Sequence, residues 1–142
     1  MIGIVIIGHG RVASEMKHAV EHVLGAQACL DTLDVLSSAH VEVLEQQLQT
    51  SLQRCNQGEG VLICADMFGG TPCNIALRCM RAGVYEVVSG FNLPALIRAV
   101  TQRGAPDVDV HTLAQDVVKA GAQYMCVASD AVHTPVQAKQ SA

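Results

Sequence analysis

The chain has 142 residues, half of them apolar and only 3% aromatic, with a formal net charge of −4. That length suits one domain built on a single aliphatic core. The acidic balance and the lack of a basic stripe argue against nucleic acid or an anionic membrane as the main partner.

No cationic segment precedes the first apolar run, which is too short for a signal peptide or a membrane span. A soluble, cytoplasmic protein with no direct membrane insertion is expected. The six cysteines form no CxxC pair. They read as reduced, mostly buried thiols rather than disulfides or zinc ligands.

Ile2–Ile7 is an unbroken apolar run and reads as a buried first strand. His9 follows it, flanked by Gly8 and Gly10. Val12, Met16, Ala19, Val20 and Val23 then recur at helical spacing, and Gly25 ends that helix. Thr32–Leu36 is a second strand with a weaker pattern. Ser38 is placed to cap a helix whose buried stripe is Val41, Leu44, Leu48 and Leu52. Val61–Ala65 is a third buried strand. Asp66-Met67-Phe68-Gly69-Gly70-Thr71-Pro72 comes next. Thr71 as N-cap and Pro72 at the first helical position predict a helix to about Ala82. Glu86–Ser89 reads as a fourth strand, and Pro94 opens a helix to about Gln102. A further helix falls within Asp107–Ala120, and Tyr124–Val127 has a short strand pattern. The expected domain spans residues 1–128, followed by a polar tail over 129–142.

Alternating strands and helices imply an α/β fold, a three-layer sandwich around a mainly parallel sheet. Right-handed crossovers put strand one in the middle and favour the order 2-1-3-4. The switch point then lies between strands one and three. His9 and Asp66 end those strands, so they should meet across one crevice. There a carboxylate could hold one ring nitrogen and leave the other free as a nucleophile. Gly69, Gly70 and Thr71 lead into a helix N-terminus, whose unpaired N–H groups attract a phosphate-like anion. Together these parts point to a histidine that carries a phosphoryl group. No cofactor and no metal is required.

The stretches Ile4-Val5-Ile6-Ile7-Gly8-His9-Gly10, Asp66 to Pro72 with Asn74, and Gly90-Phe91-Asn92-Leu93-Pro94 resemble three signatures of the mannose-type enzyme IIA family of the bacterial phosphotransferase system. The resemblance covers about residues 1–128. It implies that His9 accepts a phosphoryl group from phospho-HPr and passes it to an enzyme IIB, or serves as a regulatory state. It implies that Asp66 is the hydrogen-bond partner of His9 and that Gly70 and Thr71 hold phosphoryl oxygens. Phe68 would help form the rim where protein partners dock, with Asn92 near the same edge. The resemblance also implies a homodimer whose fifth strand, here Tyr124–Val127, is exchanged and pairs antiparallel with the partner's sheet. Two features depart from the family pattern. Many members continue into a IIB domain, whereas this sequence stops, and Arg11 stands where some members carry an aromatic residue.

Other readings compete. Gly8-His9-Gly10-Arg11-Val12-Ala13 also fits the dinucleotide pattern G-x-G-x-x-A, with Asp34 roughly where a ribose-binding acid falls. A non-catalytic interaction module is a second alternative. Glu15, His18 and His22 share a helical face and could approach a metal, although a solvated polar face explains them as well. His40, His111 and His133 show no partner pattern. Cys73 sits in the first turn after Pro72, where a helix dipole can lower a thiol pKa.

Overall fold

A computed structural model of the chain describes residues 1–132. Four strands, β1 (Gly3–His9), β2 (Leu30–Val35), β3 (Val61–Ala65) and β4 (Tyr85–Ser89), form one all-parallel sheet in the order β2-β1-β3-β4. Helices α1 (Val12–Leu24), α2 (Val41–Cys55), α3 (Thr71–Cys79), α4 (Leu93–Gln102) and α5 (Val110–Tyr124) cover its two faces. The expected three-layer α/β architecture and strand order are therefore those of the molecule.

Strand β1 is apolar without alternation because both of its faces are buried. Ile4 and Ile6 point into a core shared with α1, α4 and α5, through Val20, Leu96, Leu113 and Val117. Val5 and Ile7 point the other way, into a core with Leu44, Leu48 and Leu52 of α2 and Ile75 of α3. The period-two geometry of a strand thus divides one apolar run between two layers. No helix among the described residues is long and apolar enough to cross a membrane.

Several boundaries differ from the sequence expectation. The buried stripe of α1 is Ala13, Met16, Val20 and Leu24, whereas Val12 and Val23 face solvent. Both sets keep helical spacing, so the repeat alone does not choose between them, and the observed face is the one turned to the sheet. His40 rather than Ser38 precedes α2, without a side-chain cap. Gly70 rather than Thr71 is the N-cap of α3, and that helix stops at Cys79. There the chain turns back through an Arg81–Tyr85 bridge into β4.

The expected strand over Tyr124–Val127 is not formed in the single chain. Tyr124 is the last residue of α5, residues 125–127 are irregular, and a short helix α6 (Ala128–Val132) follows. The apolar stripe of α5 through Leu113, Val117 and Ala120 carries the helix on to Tyr124. The segment pairs with neither edge strand of its own sheet, β2 or β4. The first residues of the expected polar tail, to Val132, belong to α6 and its flank. The rest of that tail, with His133, lies outside the described residues.

Candidate functional site

The site is built at the carboxyl edge of β1 and β3, where neighbouring crossovers diverge. The register pairs Ile7 with Ala65, so the next residues of both strands emerge side by side. The Asp66 backbone N–H donates to the Ile7 carbonyl at 3.2 Å, locking that edge.

Asp66 Oδ2 accepts two hydrogen bonds from one residue, His9. The backbone N–H lies at 2.9 Å and ring Nδ1 at 2.7 Å. Oδ1 accepts the Met67 N–H at 2.9 Å. A carboxylate has no proton to give, so Nδ1 carries the hydrogen, and in the neutral ring Nε2 is left with its lone pair. Burial alone would raise the Asp66 pKa. The backbone and ring hydrogen bonds from His9, its charge, and the Met67 N–H outweigh that and lower it. The carboxylate therefore stays ionised against a ring that is 49% exposed.

Gly70 sets the position of the free edge of the ring. A Cβ placed there would stand 2.7 Å from His9 Cε1 and 3.1 Å from Nε2. The imidazole thus lies between Asp66 on one side and the start of α3 on the other. Thr71 and Cys73 begin α3, and their N–H groups have no carbonyl four residues back inside the helix. Gly69, at φ +90°, takes a left-handed conformation that a side chain would strain. Gly8 supports the pair from behind, since a Cβ there would press to 3.3 Å on Asp66 Oδ2.

An open groove of about 720 Å³ runs beside the ring, lined by His9, Thr71, Leu36, Ser37, Ser38 and Val41 among others. Ser37 and Ser38, in the loop after β2, were not among the expected site residues. Their position after the strand next to β1 was the available signal. Met67 and Phe68, between β3 and α3, are exposed, Phe68 to 71%.

The remaining candidates are dispersed. Asn92 is spent within the chain. Its Oδ1 accepts the Ala95 N–H at 3.0 Å, capping α4, and its Nδ2 donates to the Gly121 carbonyl at 3.0 Å. Both oxygens of Asp34 are taken by Ser14, one by its N–H at 3.0 Å and one by its hydroxyl at 2.7 Å. These bonds tie Asp34 to the start of α1, a structural role that accounts for it without a nucleotide. Cys73 is fully buried. His111, expected without a partner, pairs with Glu86 at 3.0 Å. His18 Nδ1 lies 3.5 Å from Glu15 on an exposed helix face. No disulfide links the cysteines among the described residues, and burial pushes the Cys64 thiol up to about 12.

A family model described as PTS system fructose IIA component, EIIA-man, matches residues 3–118. The mannose-specific EIIAB component of the phosphotransferase system from Escherichia coli (strain K12) is 32% identical over 103 residues, covering 72% of this chain and 32% of that protein. The chain therefore spans less than a third of that relative's length. The fructose-specific EIIA component of Bacillus subtilis (strain 168) is 26% identical over 104 residues, 72% of this chain and 71% of that one. Among solved structures, phosphotransferase system component EIIA from Streptococcus agalactiae superposes with a TM-score of 0.82 at 23% identity. That likeness covers 92% of this chain and 99% of the other, and it shows a shared fold.

Proposed function

The chain belongs to the EIIA-man family of phosphotransferase-system components, and from that premise we propose that it is a cytoplasmic phosphoryl carrier working through His9. The reading is carried by the imidazole held between Asp66 and Gly70, with Nδ1 bonded and Nε2 free. HPr is the proposed donor and an enzyme IIB the acceptor, serving carbohydrate uptake or a regulatory state.

In the first transfer the Nε2 lone pair attacks phosphorus, and the bond from phosphorus to the donor breaks. The ring becomes positively charged as the new N–P bond forms. The ionised Asp66 stabilises that charge while keeping the proton on Nδ1. The phosphoryl oxygens gain negative character at the start of α3, where Gly69, Gly70 and Thr71 offer N–H groups, a hydroxyl and the positive end of the helix dipole. None of these groups has to move, so the site is preorganised for the charges that develop. The second transfer reverses the same steps with the acceptor as nucleophile.

The exposed Met67 and Phe68 suit the apolar centre of a docking surface around the ring. Asn92 contributes to that edge by holding the start of α4. The carrier domain spans residues 1–128. Exposed Tyr124, Met125 and Val127, with β4 left as an open sheet edge, support a homodimer that exchanges this segment.

The test is incubation of the wild-type and His9→Ala proteins with phosphoenolpyruvate, enzyme I and HPr. Acid-labile phosphate is expected on the wild type and absent from a folded His9→Ala variant. Equal labelling of both would overturn the reading.

A further inference from the structure

The opposite end of the sheet holds a second polar cluster, which phosphoryl transfer does not use. Arg103, just past α4, is buried to 3% exposure. Its guanidinium clasps the turn before β2, donating to the carbonyls of Ala28 at 2.7 Å and Cys29 at 3.1 Å and to Gln27 Oε1 at 3.2 Å. Among the described residues no carboxylate forms an ion pair with it. Burial lowers the Arg103 pKa.

Cys29 and Cys55 come from distant parts of the sequence and converge on one glycine. The pairing of Ile4 with Leu30 puts Cys29 beside Gly3 at the start of the sheet. Cys55, the last residue of α2, covers Gly3 from above. A Cβ on Gly3 would fall 2.4 Å from the Cys55 carbonyl oxygen and 2.9 Å from the Cys55 Cβ. Cys29 packs against the core cluster that contains Cys55, so both lie on the same face of the sheet. The last turn of α2 is fastened there by an ion pair between Arg54, next to Cys55, and Asp31, two residues past Cys29. Cys29 stands one strand spacing, about 4.8 Å, from Gly3, and Cys55 lies directly against Gly3, so the two cysteines share that neighbour. Cys29 is half-buried and Cys55 buried. Cys29 also holds a left-handed backbone, φ +53°, inside the turn that Arg103 clasps.

We propose that Cys29 and Cys55 are an oxidation-sensitive thiol pair that closes to an intramolecular disulfide when a peroxide reaches Cys29. The Cys29 sulfur attacks one peroxide oxygen and the O–O bond breaks. The other oxygen leaves with the thiol proton as water or an alcohol, and Cys29 becomes a sulfenic acid. The Cys55 sulfur then attacks the Cys29 sulfur, and the hydroxyl departs with the Cys55 proton as water. Two thiols are oxidised to one disulfide while one peroxide is reduced. Burial pushes the Cys55 thiol up to about 11, which leaves Cys55 as the second, resolving thiol. The pair lies a strand's length from His9, roughly 20 Å, so this modification is independent of the phosphoryl reading.

The test uses the full chain carrying Cys126→Ser, which removes the exposed thiol that could join two copies. After treatment with hydrogen peroxide, free thiols are alkylated in denaturant and the digest is mapped by mass spectrometry. Two of the five remaining thiols should be lost, joined as one Cys29–Cys55 peptide pair that dithiothreitol releases. With Cys55→Ser added, Cys29 should stop at a sulfenic acid that dimedone traps. The map of the Cys126→Ser protein decides the matter even where a further variant fails to fold. Retention of all five thiols at a dose that oxidises free cysteine, oxidation of Cys29 with no link to Cys55, or a link between any other pair would overturn the proposal.

Discussion

Replacing Gly70 with alanine would drive a methyl group into the imidazole edge that carries the free nitrogen. The new Cβ would stand 2.7 Å from His9 Cε1 and 3.1 Å from Nε2. Carbon atoms settle at about 3.5–4.0 Å, so the ring must retreat by roughly 1 Å. It cannot do so freely, because Nδ1 is held at 2.7 Å by Asp66 Oδ2. A hydrogen bond to a charged group contributes about 1.5–3 kcal/mol. Losing it, or misplacing the nucleophile by about 1 Å, slows transfer by roughly tenfold to a hundredfold. The backbone itself should tolerate the change. Gly70 has an ordinary extended backbone at φ −90° and ψ 170°, and alanine in place of glycine at an N-cap costs up to about 1 kcal/mol. The assay is the initial rate of phosphoryl labelling from phospho-HPr, read beside thermal unfolding of the same preparations. A Gly70→Ala protein that labels at the wild-type rate would refute the placement of Nε2 against the start of α3.

Asp66→Asn should keep the fold and slow labelling by about tenfold to a hundredfold, since the amide neither holds the ring as firmly nor offsets its charge. Its pH dependence has a definite sign. The folded-state pKa of Asp66 lies below its ordinary value of 3.8, so its stabilisation is fully present above 3.8 and is lost as pH falls through the lower folded value. Wild-type and Asp66→Asn unfolding curves should therefore differ near neutral pH and converge in stronger acid, and a gap that widens on acidification would contradict this. Asn92→Ala should lower stability by about 1–2 kcal/mol through loss of the α4 cap and the bond to Gly121, as measured by urea unfolding. A wild-type stability would show the cap to be idle.

Much of this arrangement is readable from residue types alone. Ile2 to Ile7 carries no alternation, as a strand buried on both faces must, and the chain's strand and helix alternation allows few topologies. Once strands one and three are neighbours, His9 and Asp66 have to meet. What was not legible depends on contacts made across the fold. The one-residue shift at the start of α3 turns on the conformation of Gly70, not on the capping preference of Thr71. The stripe of α1 uses Ala13 and Leu24 rather than Val12 and Val23, because the helix phase is set by the sheet beneath it. Asn92 looked like an edge residue, yet its amide is consumed by Ala95 and Gly121, a partner 29 positions away. Tyr124–Val127 has strand composition, but Tyr124 is drawn into α5 and the rest pairs with no strand of its own chain, so local pattern and tertiary context disagree there. Ser38 reads in the sequence as a helix cap, and its place with Ser37 in the groove beside His9 depends on how the loop after β2 packs.

The central claim concerns one atom, Nε2 of His9. Nuclear magnetic resonance of the phosphorylated protein, with isotope-labelled histidine, reads which ring nitrogen is coupled to phosphorus. The hydrogen bond from Nδ1 to Asp66 leads us to expect coupling to Nε2 of His9 and none to Nδ1. Phosphorus on Nδ1, or on a residue other than His9, would contradict the account.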